Sequence, residues 1–282
     1  MLEGSMKLER NLKPYLMIMA AFVVFAGMFA FNFILPSEKS LLFDFYNINN
    51  RVWHWCELLI CVSAVYYIFK IRKLSLRDLS TAVVLGTTVY FANSVGYGYI
   101  SAVVTAVAYY SACQIFRFYS QQNKTFNIGF KKILKSFGLG VLYAIPFAVI
   151  NNLAIYFSNG QTYPLKISRI IPCAWSALAP GISEEIIFHF FLLAFATALF
   201  KGKIDEKKST KILVYFLLVV PHCLIHLPTI FIENPSMALF ILAFTSILFG
   251  FPMAWLVKNK NLQTAIVFHW FIDFIRFLFV RW

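Results

Sequence analysis

The chain has 282 residues, of which 60% are hydrophobic, 18% aromatic and 13% charged, and it carries a formal charge of +13. A soluble domain has about a quarter of its residues charged, so this composition excludes an ordinary soluble enzyme and points to an integral membrane protein. The Lys and Arg fall in short clusters between apolar runs; that excludes a basic nucleic-acid-binding domain and makes the charge a matter of membrane topology.

In chain order, "MLEGS" at residues 1–5 reads as a cloning scar ahead of a native start at Met6. The apolar run from Pro14 to Leu35 is about twice as long as a signal-peptide core, so it is expected to remain as the first span. A spanning helix needs about 20 mostly apolar residues. Nine runs qualify, near 14–35, 52–70, 79–94, 97–117, 136–157, 179–200, 211–229, 236–257 and 262–280. The third is short, and "ANSVGYGY" divides it weakly from the fourth. The fold expected is an all-α polytopic helical bundle of eight or nine transmembrane helices. It is a single membrane domain, with N-terminal helices over 6–160 and a core built from the last four spans, over 161–282.

Orientation follows from Lys and Arg, which stay on the cytoplasmic side of short loops. With nine spans and a cytoplasmic N-terminus, 19 of the 25 basic residues fall on the cytoplasmic side. Lys39, Arg51, Lys166, Arg169 and Arg281 fall opposite, and Arg276 lies within a span. The expected location is a prokaryotic plasma membrane. Five cysteines (Cys56, Cys61, Cys113, Cys173, Cys223) form no CxxC pair and read as core filler.

An ionised side chain at the bilayer centre costs at least about 2.5–3.5 kcal/mol, so intramembrane acids and histidines mark polar interiors. Glu57, beside His54 and two tryptophans at the start of the second span, reads as interfacial. The remainder cluster late in the chain: "EEIIFH" at 184–189 in the sixth span, "HCLIH" at 222–226 in the seventh and "HWFID" at 269–273 in the ninth. Residues four apart share a helix face. Glu185 is therefore expected to stack with His189, His222 with His226 and His269 with Asp273, leaving Glu184 to face the other two histidine-bearing helices across a polar cavity. Pro180 and Gly181 are expected to break the apolar run that starts near Arg169, with Ser183 capping a new helix and both glutamates in its first turn. The segment before the break is a candidate re-entrant stretch.

These three motifs resemble those of the CPBP or Abi family of intramembrane glutamic endopeptidases, which includes type II CAAX prenyl proteases and bacteriocin-associated membrane proteins. That family carries EExxxR, FxxxH and HxxxN/D on successive core helices. Here His189 stands in the arginine position and His222 in the phenylalanine position; the third motif is in its aspartate form. The likeness covers about residues 170–280. It implies peptide hydrolysis, with Glu184 and His226 holding and deprotonating a water and His269 with Asp273 at the oxyanion. Glu185, His189 and His222 are supporting residues. Asp273 is expected to orient His269 through a hydrogen bond, as an acid does behind a catalytic imidazole.

No cofactor is expected. The mechanistic rival is a zinc site with Glu184, His226 and His269 as ligands; HxxxH puts two imidazoles on one helix face, but HExxH is absent because position 223 is Cys223. A rival from another class is a non-catalytic immunity or regulatory protein that binds a peptide or protein partner in the same cavity. A proton-coupled transporter is a third, disfavoured by the lack of matching broken helices in two halves. The expected partners are a peptide or protein substrate and the lipid bilayer; the oligomeric state is not legible. Oriented as above, the cavity should open away from the cytoplasm.

Overall fold

A computed structural model describes residues 2–34, 48–93, 98–120, 129–159 and 164–279. Side chains of residues 1–11 lie outside this description, as do Lys39, Lys124 and Arg281 of the basic residues counted above. The chain is an all-α membrane bundle, with no strand among the described residues. Its first elements are α1 (Leu2–Phe31), α2 (Ile48–Ile71), α3 (Leu76–Ala92), α4 (Gly98–Tyr119) and α5 (Phe130–Asn159). Next come α6 (Ile167–Ser176), α7 (Leu178–Glu184), a π-helical segment Glu185–Phe191 and α8 (Leu192–Leu199). The last third holds α9 (Lys208–Leu224), α10 (Pro228–Glu233) and α11 (Pro235–Thr245), then a second π segment Ser246–Gly250, α12 (Phe251–Asn259) and α13 (Leu262–Phe279).

Over their described residues the nine expected spans are mainly helical, the seventh being interrupted between the end of α9 at Leu224 and the start of α10 at Pro228. Among the described residues, seven helical stretches are long and apolar enough to cross a membrane; α3 and α9 have 17 residues each, about 26 Å of helix against a hydrocarbon core of about 30 Å.

Polar ties between helix ends fall into two sets, which match the two faces that nine alternating crossings require. On the face carrying the basic loops, Arg117 meets Asp78 at 2.6 Å, Tyr15 Oη lies 2.5 Å from Thr210 Oγ1, Ser136 donates to Asn261, and Lys258 pairs with Asp205. On the other face Trp53 donates to Ser101, Trp175 to the Phe91 carbonyl, Arg169 to the Phe277 carbonyl and Asn32 to the Ile48 carbonyl.

The core sits around the continuous stretch 167–199. The expected core of the last four spans is joined by α4, which is largely buried: Tyr109 stacks on Phe190 of the π segment at 5.7 Å, and Phe116 meets the same ring at 5.2 Å. The stretch 235–259 is mostly exposed on its flank. Glu57 is not an exposed interfacial residue. It is 1% exposed and bonded to His54 Nδ1 at 2.9 Å, which satisfies one carboxylate oxygen inside the protein. The five cysteines are free, and all but the half-buried Cys61 are buried.

The helix break near Pro180 is displaced. Pro180 and Gly181 lie inside α7, and the discontinuity is at Ala177. A proline without N–H removes the bond to the carbonyl four residues earlier, here Ser176, so its effect appears one turn upstream. Ser183 caps nothing: its hydroxyl donates back to the Ala179 carbonyl at 2.7 Å, as mid-helix serines do. The two glutamates therefore sit at the junction of α7 and the π segment rather than in a first turn. Gly181 lets the α13 backbone approach, since a Cβ there would lie 3.1 Å from Trp270 backbone atoms.

Candidate active site

The α-to-π junction fixes the site. Wide turns of this kind are rare and concentrate at functional positions. This one presents two consecutive carboxylates to neighbouring helices, and both glutamates are buried. Glu184 Oε2 is surrounded by three imidazoles from α9, the turn after it, and α13. His222 Nε2 lies at 2.8 Å, His226 Nε2 at 3.4 Å and His269 Nε2 at 3.7 Å. The sequence thus placed Glu184 toward the two other histidine-bearing helices, and the structure does the same.

Glu185 reaches further than expected. Its Oε1 accepts from His269 Nδ1 at 3.0 Å, while its Oε2 is 3.1 Å from His189 Nδ1, out of line for a hydrogen bond. His269 therefore lies between two consecutive glutamates, hydrogen-bonded to Glu185 at Nδ1 and 3.7 Å from Glu184 at Nε2. Asp273 Oδ2 is 3.5 Å from His269 Nε2, and Asp273 Oδ1 is 3.4 Å from the Arg276 guanidinium. The carboxylate hydrogen-bonded to the ring is Glu185, where the spacing had suggested Asp273.

His189 is fully buried, with its ring edge-on to His222 at 4.8 Å. Its Nε2 has no hydrogen-bond partner, and neither has Nδ1 of His222. His222 lies parallel to Phe188 at 5.6 Å, a packing that a phenylalanine at 222 would share. The close bond from His222 to Glu184 was not foreseen. The signal was present in HxxxH, which puts His222 on the face that carries His226.

Glu184, His222, His226, His269 and Asp273 line one cavity of about 380 Å³. Its wall includes Asn151 and Arg276, which lie toward the helix ends opposite the basic loops, and His226 is half exposed at its rim. Glu184 is fifteen residues from Leu199, and His222 fourteen from Lys208. Both lie about 20 Å from the ends bearing the basic loops. The donor atoms that could share a metal ion, all within 4.8 Å of one another, are those of Glu184, His222 and His226. His222 takes the place that the sequence reading gave to His269.

The fold and the site are those of a helical membrane protein with a carboxylate ringed by three imidazoles in a polar cavity. Residues 166–275 match the family model described as Type II CAAX prenyl endopeptidase Rce1-like, the stretch that holds all three motifs. The family resemblance read from those motifs is thereby shown for the C-terminal part of the chain. No curated protein and no solved structure matches the chain.

Proposed function

We propose that the protein is an intramembrane endopeptidase that hydrolyses a peptide bond with a water activated by Glu184. The observation that carries this reading is the convergence of His222, His226 and His269 on one oxygen of Glu184, beside a cavity large enough for a peptide backbone and water. A general base and a polarised carbonyl in a water-poor cavity are the two requirements of peptide hydrolysis.

Glu184, helped by His226 at the rim, holds the water and takes one of its protons as the oxygen bonds to the carbonyl carbon. The imidazolium form of His269, steadied by Glu185 at Nδ1, donates from Nε2 to the developing oxyanion. Collapse of the tetrahedral intermediate breaks the C–N bond, and Glu184 returns the proton to the leaving nitrogen. Asp273 and Arg276 hold the outer side of His269. No metal or cofactor is needed in this scheme. The substrate is a peptide or protein segment that reaches the site from the membrane or from the face opposite the basic loops. The N-terminus is on the cytoplasmic side.

The non-catalytic binding reading keeps one specific support: the 2.8 Å bond from His222 occupies a lone pair of Glu184 that a substrate water would use. Incubating purified wild-type and Glu184→Gln protein with candidate peptides separates the two. An enzyme loses cleavage with the amide, whereas a binding protein cleaves nothing in either form and retains its ligand.

A further inference from the structure

Glu184, His222 and His226 have a second capacity that the hydrolytic scheme does not use. We propose that these three side chains form a site for a borderline divalent cation of the zinc type, and that the bound ion takes Glu184 out of service as a base. The binding claim stands on geometry alone; the inhibitory consequence rests on the peptidase reading.

Three features carry the proposal. The donors come from two rigid places, the buried α-to-π junction and the end of α9 with its following turn, and they converge within 4.8 Å. Around a tetrahedral ion with bonds of about 2.0–2.1 Å, ligand atoms are about 3.3 Å apart. The His226–Glu184 separation of 3.4 Å already fits, and the His222–Glu184 separation of 2.8 Å must widen by about half an ångström. The fourth position faces the cavity and is left to water.

Two nitrogens and one carboxylate oxygen make a donor set suited to zinc or its neighbours, while magnesium and calcium select oxygen cages. The half-exposed His226 provides a route for the ion from the rim.

Charge supports the same conclusion. Glu184, Glu185 and Asp273 are all buried within one network, and among the described residues the permanent cation in contact with it is Arg276, 3.4 Å from Asp273. Buried carboxylates demand compensation, and a dication at Glu184 supplies it. His222 completes the set: a phenylalanine there leaves it one imidazole and one carboxylate, and the next imidazole, His269, is tied through Nδ1 to Glu185.

The test uses untagged, full-length protein in detergent, stripped with a strong chelator and titrated with Co²⁺, whose visible d–d absorption reports four-coordinate binding. Zn²⁺ then competes for the site, and thermal unfolding is followed with and without Zn²⁺. A single saturable equivalent is expected in the wild type. His222→Phe and Glu184→Gln should each weaken uptake by about a hundredfold and abolish the rise in Tm with Zn²⁺.

Absence of saturable uptake by folded wild-type protein overturns the proposal, as does equal uptake by His222→Phe. Loss of uptake in His269→Gln with retention in His222→Phe also overturns it, since the ligands are then a different set. Peptide cleavage on the same samples separates the two readings. Cleavage without metal uptake overturns the metal site alone, cleavage indifferent to saturating Zn²⁺ overturns the inhibition, and metal uptake without cleavage supports the site while counting against the peptidase.

Discussion

His269 Nδ1 and Glu185 Oε1 are 3.0 Å apart across two helices that lie 84 residues apart in sequence. That bond, with Glu184 at the other nitrogen of the same ring, ties the α-to-π junction to α13. In the proposed scheme Glu185 is thus the positioning residue behind His269, and Asp273 has the lesser part. Glu185→Gln should lower kcat by at least about tenfold with KM within about twofold, because an amide still accepts a bond but no longer offsets imidazolium charge. Asp273→Asn should cost less. Steady-state kinetics on the two variants checks the order, and a larger loss in Asp273→Asn would transfer the positioning role to Asp273.

His222→Phe removes the imidazole that occupies Glu184 Oε2 and replaces it with a ring that can keep the stacking on Phe188. Turnover is expected to rise by up to about tenfold as the lone pair is released to water, since one net hydrogen bond to a charged group is worth about 1.5 kcal/mol, close to a factor of ten. A comparable fall in kcat would instead make His222 a working partner of Glu184.

Two glycines on α5, neither of them lining the cavity, make a stability test. A Cβ at Gly140 would lie 2.6 Å from Val267 Cβ and 2.9 Å from the Thr264 carbonyl, whereas a Cβ at Gly138 meets nothing within 4 Å. Gly140→Ala must push α5 off α13 and is expected to cost about 1–3 kcal/mol. Gly138→Ala should be neutral or stabilise by up to about 1 kcal/mol through helix propensity. Thermal unfolding of the two variants in detergent, side by side, reads the difference.

Ser236 is exposed in the first turn of α11, on the face to which the cavity opens. With Cys61 replaced by serine and the other four native cysteines buried, a cysteine at 236 should react with an impermeant thiol reagent on intact cells. Protection from outside would invert the orientation and turn the cavity toward the cytoplasm.

Much of this arrangement was legible in the residues. The helical spans followed from apolar run length. The three motifs named the side chains that meet: i,i+4 spacing puts His269 with Asp273 on α13, and His226, in the turn after α9, still lies beside His222 with ring centroids 5.5 Å apart. Three things were not legible. The break moved from Pro180 to Ala177 because a proline acts on the carbonyl four residues before it. The π turn at 185–191 has no mark in a run that reads as ordinary apolar helix, and its wider turn is what lets adjacent glutamates share His269. The close His222–Glu184 bond depends on how α9 is rotated against the junction, which only packing sets.

The most direct test of the central claim is cleavage by Glu184→Gln. With a peptide that the wild-type protein cuts, the variant should be folded, with Tm within a few degrees of wild type, and should lose at least about a hundredfold in kcat, as removal of a general base requires. Wild-type turnover in a folded Glu184→Gln protein would contradict the account, because the oxygen on which three imidazoles converge would then not be the one that activates water.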